Sequence, residues 1–243
     1  MQAVIVAGGL GTRLRPLTQR IPKSMIEFGG KPFLWHVLSL LKDNGFKEIL
    51  FCAGNGHDII ENYFGNNFLD MKINYSVEDK PLGTGGAIKL ASKFLDKKFL
   101  LLGGDVYLKI NYKELVERFN VANKIGVITV YDNKKEKVAD NNVFVKDYTV
   151  KSYHKREKHD VISTNNLDPM IKKLNGVACD VDFYNRDILK LLPDKEVFSF
   201  EMEVYPKLIE LNQLAAFVTS TRYYDIGTFD RIEKFKKFLT TEN

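Results

Sequence analysis

Cysteine is nearly absent: Cys52 and Cys179 are the only two in 243 residues, far apart and each inside an apolar run. That usage argues against a disulfide scaffold or a cysteine metal site and reads as two buried thiols. Histidine is scarce too. His36, His57, His154 and His159 have neither metal-ligand spacing nor a triad context, so each reads as a structural or surface residue. The net charge of +5 is too slight and too evenly spread to mark a nucleic-acid binder, although it suits a small polyanion. No apolar run reaches the length of a membrane span, and the first twelve residues lack a basic leader, so no membrane partner and a cytoplasmic location are expected. Internal repeats, low-complexity tracts and a Pro/Ser linker are also missing.

What is present is enough apolar material, 44% of residues, for one large core. Strand-like runs alternate with helical patterns, the mark of βαβ units on a parallel sheet. "AVIVA" (3–7), "EILFCA" (48–53), "INYSV" (73–77), "KFLLLGG" (98–104) and "IGVITVY" (125–131) read as strands. "PFLWHVLSLLKDNG" reads as a helix opened by Pro32 and stopped at Gly45, and "GAIKLASKFL" and "YKELVERFNVA" as two more. From about residue 141 the pieces shorten: "NVFVKD", "TVKSYHKR", "GVACDVDFY" and "AAFVTS" read as strands, with helices near "FSFEMEVYPKLIEL" and "DIGTFDRIEKFKKFL". This half reads as an extension of the same sheet carrying a small annex. The polar stretch 156–169 reads as an exposed loop, with a lid over substrate as the alternative.

Chemistry concentrates in "AVIVAGGLGTRLRPLT", residues 3–18. Glycines let a backbone approach a ligand and turn successive N–H groups toward an anion, while Arg13 and Arg15 supply countercharge. The segment lacks the G-x-x-x-x-G-K-[ST] of a P-loop, and Leu14 replaces the third glycine of a dinucleotide fingerprint. A phosphate-bearing ligand is therefore expected without either motif. "IPKSM" adds Lys23, which Pro22 presents from a non-helical loop. Asp105 follows the strand "KFLLLGG", where ligands of open parallel sheets bind, and Asp225 precedes a second glycine turn in "YYDIGT". Each aspartate alone could be a helix cap; the pair makes a divalent-cation site the stronger reading.

These residues carry a resemblance. "GGLGTRLRPLT" with "PK" ten residues on resembles the signature of the sugar-1-phosphate nucleotidyltransferases, and the likeness extends through "PLGTGGA", "GGD" at Asp105, "NGVACDVDFY", "FSFE" and "YYDIGTFD". Within that family "KPFL", "YSVEDKPLGTGGAIK" and "FSFE" are similar to the heptose-1-phosphate guanylyltransferase branch. The resemblance implies a Rossmann-like α/β fold, a mixed, mostly parallel sheet flanked by helices with a small sugar-binding annex. One domain over 1–243 is implied, with 1–135 mainly holding nucleotide and 136–243 mainly holding sugar phosphate. The implied reaction joins GTP to a sugar 1-phosphate, D-glycero-D-manno-heptose 1-phosphate first and mannose 1-phosphate second, giving a GDP-sugar and pyrophosphate for a surface polysaccharide. Mg²⁺ is the implied cofactor, and a homodimer the assembly considered.

Roles transfer residue by residue as implications of that resemblance. Ala7, Gly8, Gly9, Leu10, Gly11, Thr12, Pro81, Gly83 and Thr84 would line the nucleotide, with Arg13 on its phosphates and Lys23 on the α-phosphate. Arg13, Lys23 and Asp105 form the implied catalytic set, and Asp105 and Asp225 the metal ligands. Lys155 would reach the sugar phosphate, although His154 and Arg156 stand where the family usually has glutamate and proline. Asn175, Gly176, Asp180, Glu201 and Glu203 would meet sugar hydroxyls. Other members of the family transfer uridylyl, thymidylyl or cytidylyl groups. A nucleotide-binding regulator without chemistry would be expected to lack Arg13, Lys23, Asp105 or Asp225, and all four are present. An NAD(P) oxidoreductase is disfavoured by Leu14 and by the absence of a fitting acidic residue after "EILFCAGN".

Overall fold

The structure is a computed structural model describing residues 1–9, 11–154 and 173–242. Along the chain run β1 (Gln2–Val6), β2 (Glu27–Phe28), β3 (Lys31–Pro32), α1 (Phe33–Asp43), β4 (Glu48–Ala53), α2 (His57–Phe64), β5 (Asn67–Phe68) and β6 (Met71–Val77). Then come α3 (Gly83–Leu90), β7 (Lys98–Gly103), β8 (Val106–Tyr107), α4 (Tyr112–Ala122), β9 (Gly126–Tyr131), β10 (Val143–Lys146) and β11 (Thr149–Tyr153). The chain closes with β12 (Val177–Asn185), α5 (Phe200–Glu203), α6 (Tyr205–Glu210), β13 (Leu214–Thr219), β14 (Tyr224–Asp225) and α7 (Phe229–Glu242).

Ten strands form one sheet in the order β10-β11-β13-β9-β12-β7-β1-β4-β6-β5. The sheet draws on both the amino- and carboxyl-terminal parts of the chain. β1 pairs in parallel with β4 and β7, β4 with β6, and β9 with β13; β5, β11 and β12 run against the rest. Because successive strand residues face opposite sides, Ala3 and Ile5 enter one core while Val4 enters the other. Both faces are covered, which is why the central strands read as unbroken apolar runs rather than as alternation.

Helix α1 shows how sequence fixes a layer. Pro32 caps its start, and Phe33, Leu34, Val37, Leu38, Leu40 and Leu41 are buried at i, i+3 and i+4 spacing. Gly45, at φ +82°, turns the chain away after Asn44. Truncating Leu41, fully buried, to alanine would cost about 2–5 kcal/mol. Its aromatic neighbour Phe33 joins Phe28 and Phe235 of α7 in edge-to-face contacts 4.9–5.8 Å between centroids, so the last helix is tied to the first. Among the described residues no helix is long and apolar enough to cross a membrane.

Candidate active site

The parallel strands β1, β4, β6 and β7 end on one edge of the sheet, and their following loops meet there. Two backbone bonds pin the start of the glycine turn between its neighbours: Ala7 N–H donates to Cys52 O (2.8 Å), and Gly104 N–H donates to Val6 O (2.9 Å). Gly8 lies close against the side chain of Glu78. A β-carbon there would stand 2.6 Å from Glu78 Oε1, an acid carried just past the end of β6. Glu78 itself is placed by Leu82 N–H, which donates to its Oε2 at 3.2 Å, and burial raises its pKa above the usual carboxylate value. Gly8, Gly54, Glu78 and Pro81 line one cleft beside the turn.

On the other side of the turn lies a cavity of about 210 Å³. Ala7, Gly9, Lys23, Gly104 and Asp105 line it together with Thr84 of α3, Asp180 and Asp182 of β12, and Phe200, Glu201 and Tyr205 from α5 and α6. Nucleotide-type and sugar-type candidates thus share one cavity. Lys23 Nζ is ion-paired with Asp105 Oδ2 across 82 positions of sequence. Asp225 is brought beside Asp105 by the β8–β14 ladder, in which Asp225 opposes Val106 and Ile226 N–H donates to Asp105 O at 3.1 Å. Both oxygens of Asp225 accept from Arg231 Nη1, at 2.8 and 2.9 Å, and Gly227 N–H adds a bond to Oδ1 at 3.0 Å. A β-carbon on Gly227 would sit 3.4 Å from Arg13 Nη2, which places that guanidinium at the same turn.

Two carboxylates at neighbouring strand ends are hard oxygen donors of the kind that hold Mg²⁺ together with substrate phosphates. No group of three or more His, Cys, Asp or Glu side chains converges on a metal position among the described residues. Those two side chains would leave the rest of a cation's shell to substrate phosphates and water.

Other expected residues take different places. Gly11 O accepts from Thr18 Oγ1 at 2.7 Å, and Thr12 opens a short 3₁₀ turn, so both shape the loop. In "PLGTGGA" the glycines serve packing: a β-carbon on Gly83 (φ +72°) would meet Phe198 O at 2.6 Å, and one on Gly85 the Phe198 ring at 2.1 Å. Thr84 accepts from Phe200 N–H at 2.9 Å and donates to Glu201 Oε2 at 3.0 Å, tying α3 to α5. Asn175 uses its whole amide on the backbone of Val145, donating to its O at 2.8 Å and accepting from its N–H at 2.9 Å. Gly176 lies against Val130, and Glu203 pairs with Lys195 at 2.6 Å; these three do not line the cavity. Asp180 does, from a bulge of β12 where its φ is +53°. Leu10, Lys155 and the 156–169 stretch lie outside the described residues.

Glu78, Asp182, Tyr205 and Arg231 enter the site without having been singled out from sequence. Two of them carried a faint signal: Glu78 is an acid just past a strand end, and Asp182 an acid at an inward position of β12. The buried thiols behave as expected, with Cys52 pushed up to about 12 by burial and Cys179 raised by the same cause. His36 is half-buried against Phe28 O at 3.0 Å, which accounts for it structurally.

The profile of the nucleotidyl transferase family matches residues 2–242. The chain belongs to the nucleotidyl transferase family. It is 31% identical over 240 residues, 98% of both chains, to the D-glycero-alpha-D-manno-heptose 1-phosphate guanylyltransferase of Aneurinibacillus thermoaerophilus. It is 33% identical over 230 residues to the protein of the same description from Campylobacter jejuni, covering 93% of this chain and 95% of the other. A crystal structure of HddC from Yersinia pseudotuberculosis complexed with GMP-PN superposes with a TM-score of 0.76 at 27% identity, covering 98% of this chain and 99% of that one. The Rossmann-like nucleotidyl transferase architecture and its mixed sheet agree with the sequence-based expectation.

Proposed function

We propose that this nucleotidyl transferase moves a guanylyl group from GTP to a sugar 1-phosphate, giving a GDP-sugar and pyrophosphate. The observation that carries the reading is the single cavity in which the glycine turn, Lys23 and Asp105 face the polar wall of β12, α5 and α6. Relatives similar over nearly the whole chain are heptose 1-phosphate guanylyltransferases, which supports D-glycero-D-manno-heptose 1-phosphate as the acceptor. Mannose 1-phosphate is the second acceptor, and the GDP-sugar would serve surface polysaccharide synthesis.

Glu78 supports the base. A carboxylate beside the turn matches the N1–H and N2–H donors on the Watson–Crick edge of guanine, whereas uracil and thymine place carbonyls on either side of one N–H. In the transfer, an oxygen of the sugar phosphate forms a bond to the α-phosphorus while the bond to the bridging oxygen breaks and pyrophosphate leaves. The nucleophile is already ionised at neutral pH, so no general base is needed. Lys23 would hold the α-phosphate as a compact charge, and Arg13 the phosphates beyond it. Asp105 and Asp225 would hold Mg²⁺, which when bound offsets phosphate charge in the transition state. Positioning and electrostatics account for the rest.

The test is pyrophosphate release and product mass with GTP, ATP, CTP, UTP and dTTP against heptose, mannose and glucose 1-phosphates in Mg²⁺. GTP with a manno-configured acceptor is expected to lead. A tenfold advantage for UTP or dTTP in kcat/KM, about 1.4 kcal/mol, would remove the guanylyl assignment.

A further inference from the structure

Asp182 is the only acidic or basic side chain that is buried among the described residues, at 3% exposure. Its strand gives no packing reason for it. On β12, Val181 and Phe183 enter one core, and Asp182 and Tyr184 face the other, where Leu101 and Ile128 are the cross-strand partners of Asp182. An apolar residue would suit that position, since a buried carboxyl loses its hydration. The surroundings are instead built around the acid. Tyr184 O–H donates to Oδ2 at 3.0 Å, and Tyr205 O–H donates to the same oxygen from α6. Oδ1 receives a single long contact among the described residues, from Thr129 N–H at 3.4 Å. One oxygen is therefore fully engaged, and the other retains capacity to accept.

Asp182 lines the cavity that Lys23 and Gly9 also line. We infer that Asp182 is a specificity residue of that cavity, its Oδ1 accepting a hydrogen bond from one hydroxyl of the sugar 1-phosphate while Tyr184 and Tyr205 fix the carboxyl plane. The inference rests on the guanylyl-transfer reading, in which the phosphate end of the acceptor lies near Lys23 and its hydroxylated body extends toward β12. A buried acceptor left without its partner is costly, so such a site discriminates strongly against a sugar lacking that hydroxyl. The groups facing the carboxyl are Tyr184 beside it, Tyr205 on α6, Glu201 on α5 and the Thr129 amide on β9. No described cation touches it.

The experiment compares wild type, Asp182→Asn and Tyr205→Phe on the parent sugar 1-phosphate and its monodeoxy analogues, measuring both KM values and kcat. Wild type is expected to lose at least about tenfold in kcat/KM on one analogue. Asp182→Asn should raise KM for the parent sugar phosphate by a similar factor, leave KM for GTP within twofold, and no longer distinguish that analogue. A purely structural role would not erase discrimination at one hydroxyl. If Asp182→Asn fails to fold, Tyr205→Phe, which keeps the carboxyl but loosens it, must reduce the wild-type discrimination at least threefold. Wild type that treats every deoxy analogue like the parent, or either variant that discriminates as wild type does, overturns the inference while guanylyl transfer stands. Absence of transfer to any sugar 1-phosphate by wild type overturns both readings.

Discussion

Lys23 and Asp105, far apart in sequence, are ion-paired at the mouth of the cavity, with the lysine 19% and the aspartate 28% exposed. Each neutralises the group the other would present to an Mg²⁺–nucleotide, so both must change partners when the ligand enters. Asp105→Asn would remove the proposed anionic cation ligand, and turnover is expected to fall by orders of magnitude with the protein folded. Lys23→Ala should lower kcat more than it raises KM for GTP, because a charge on the α-phosphate acts chiefly in the transition state. Steady-state kinetics with circular dichroism as a fold control decides this; equal effects on kcat and KM would mark Lys23 as a ground-state contact.

A second pair occupies the other candidate ligand. Arg231 Nη1 bridges both oxygens of Asp225, and the pair is partly buried. A divalent cation must share or displace that guanidinium. Arg231→Met is therefore expected to tighten Mn²⁺ binding in the absence of nucleotide, read by isothermal titration or by the Mn²⁺ resonance spectrum. Asp225→Asn should abolish that binding. Weaker binding in Arg231→Met would show that the arginine holds the carboxylate in place rather than competing for it.

Glu78→Gln tests the base. Replacing one carboxylate oxygen by an amide N–H puts a donor against a donor edge of guanine, so KM for GTP should rise at least about tenfold, or 1.4 kcal/mol. UTP should lose less. Burial raises the pKa of Glu78, so its charge, and with it GTP affinity, declines as pH falls through that elevated value. The variant should lack this acid limb. An unchanged order of nucleotides across the panel would detach Glu78 from base choice.

Much of this architecture was legible in the chain because periodicity reports burial. The runs at 48–53 and 125–131 match β4 and β9 to within a residue, and "YKELVERFNVA" is α4 from end to end, with Asn111 as a side-chain cap accepting from Lys113 N–H at 3.1 Å. The placement of Lys23, Asp105 and Asp225 at turns was legible because glycine and proline mark those turns. Short elements were not: the two-residue strands β8 and β14 carry no period, yet they bring Asp225 to Asp105. Nor could sequence show that Asn175 is consumed by the Val145 backbone, since an amide that clips a strand and one that holds a sugar are the same residue. Glu78 and Asp182 were hidden for a related reason. Their significance lies in what surrounds them after folding.

The surroundings of Asp182 also predict how stability depends on pH. Burial pushes its pKa up to about 7, against 3.8 in an exposed chain, although bonds from Tyr205, Tyr184 and Thr129 N–H oppose the shift. Between those two values the folded protein keeps a proton that the unfolded chain has released. Unfolding then releases that proton, so this contribution is fully present below about pH 4 and is lost as pH rises to about 7. The span corresponds to something on the order of 4 kcal/mol at most, at 1.36 kcal/mol per unit. Asp182→Asn cannot titrate. Its stability relative to wild type should therefore climb steadily from pH 4 to pH 7 and level off above, whatever fixed cost the amide brings through its altered bonds to Tyr184 and Tyr205. Urea unfolding of the two proteins at unit pH intervals measures the difference directly, with the slope of each transition checking that the unfolded states remain comparable. A difference that stays flat across this window would mean that Asp182 is ionised throughout, held so by the two tyrosines despite its burial.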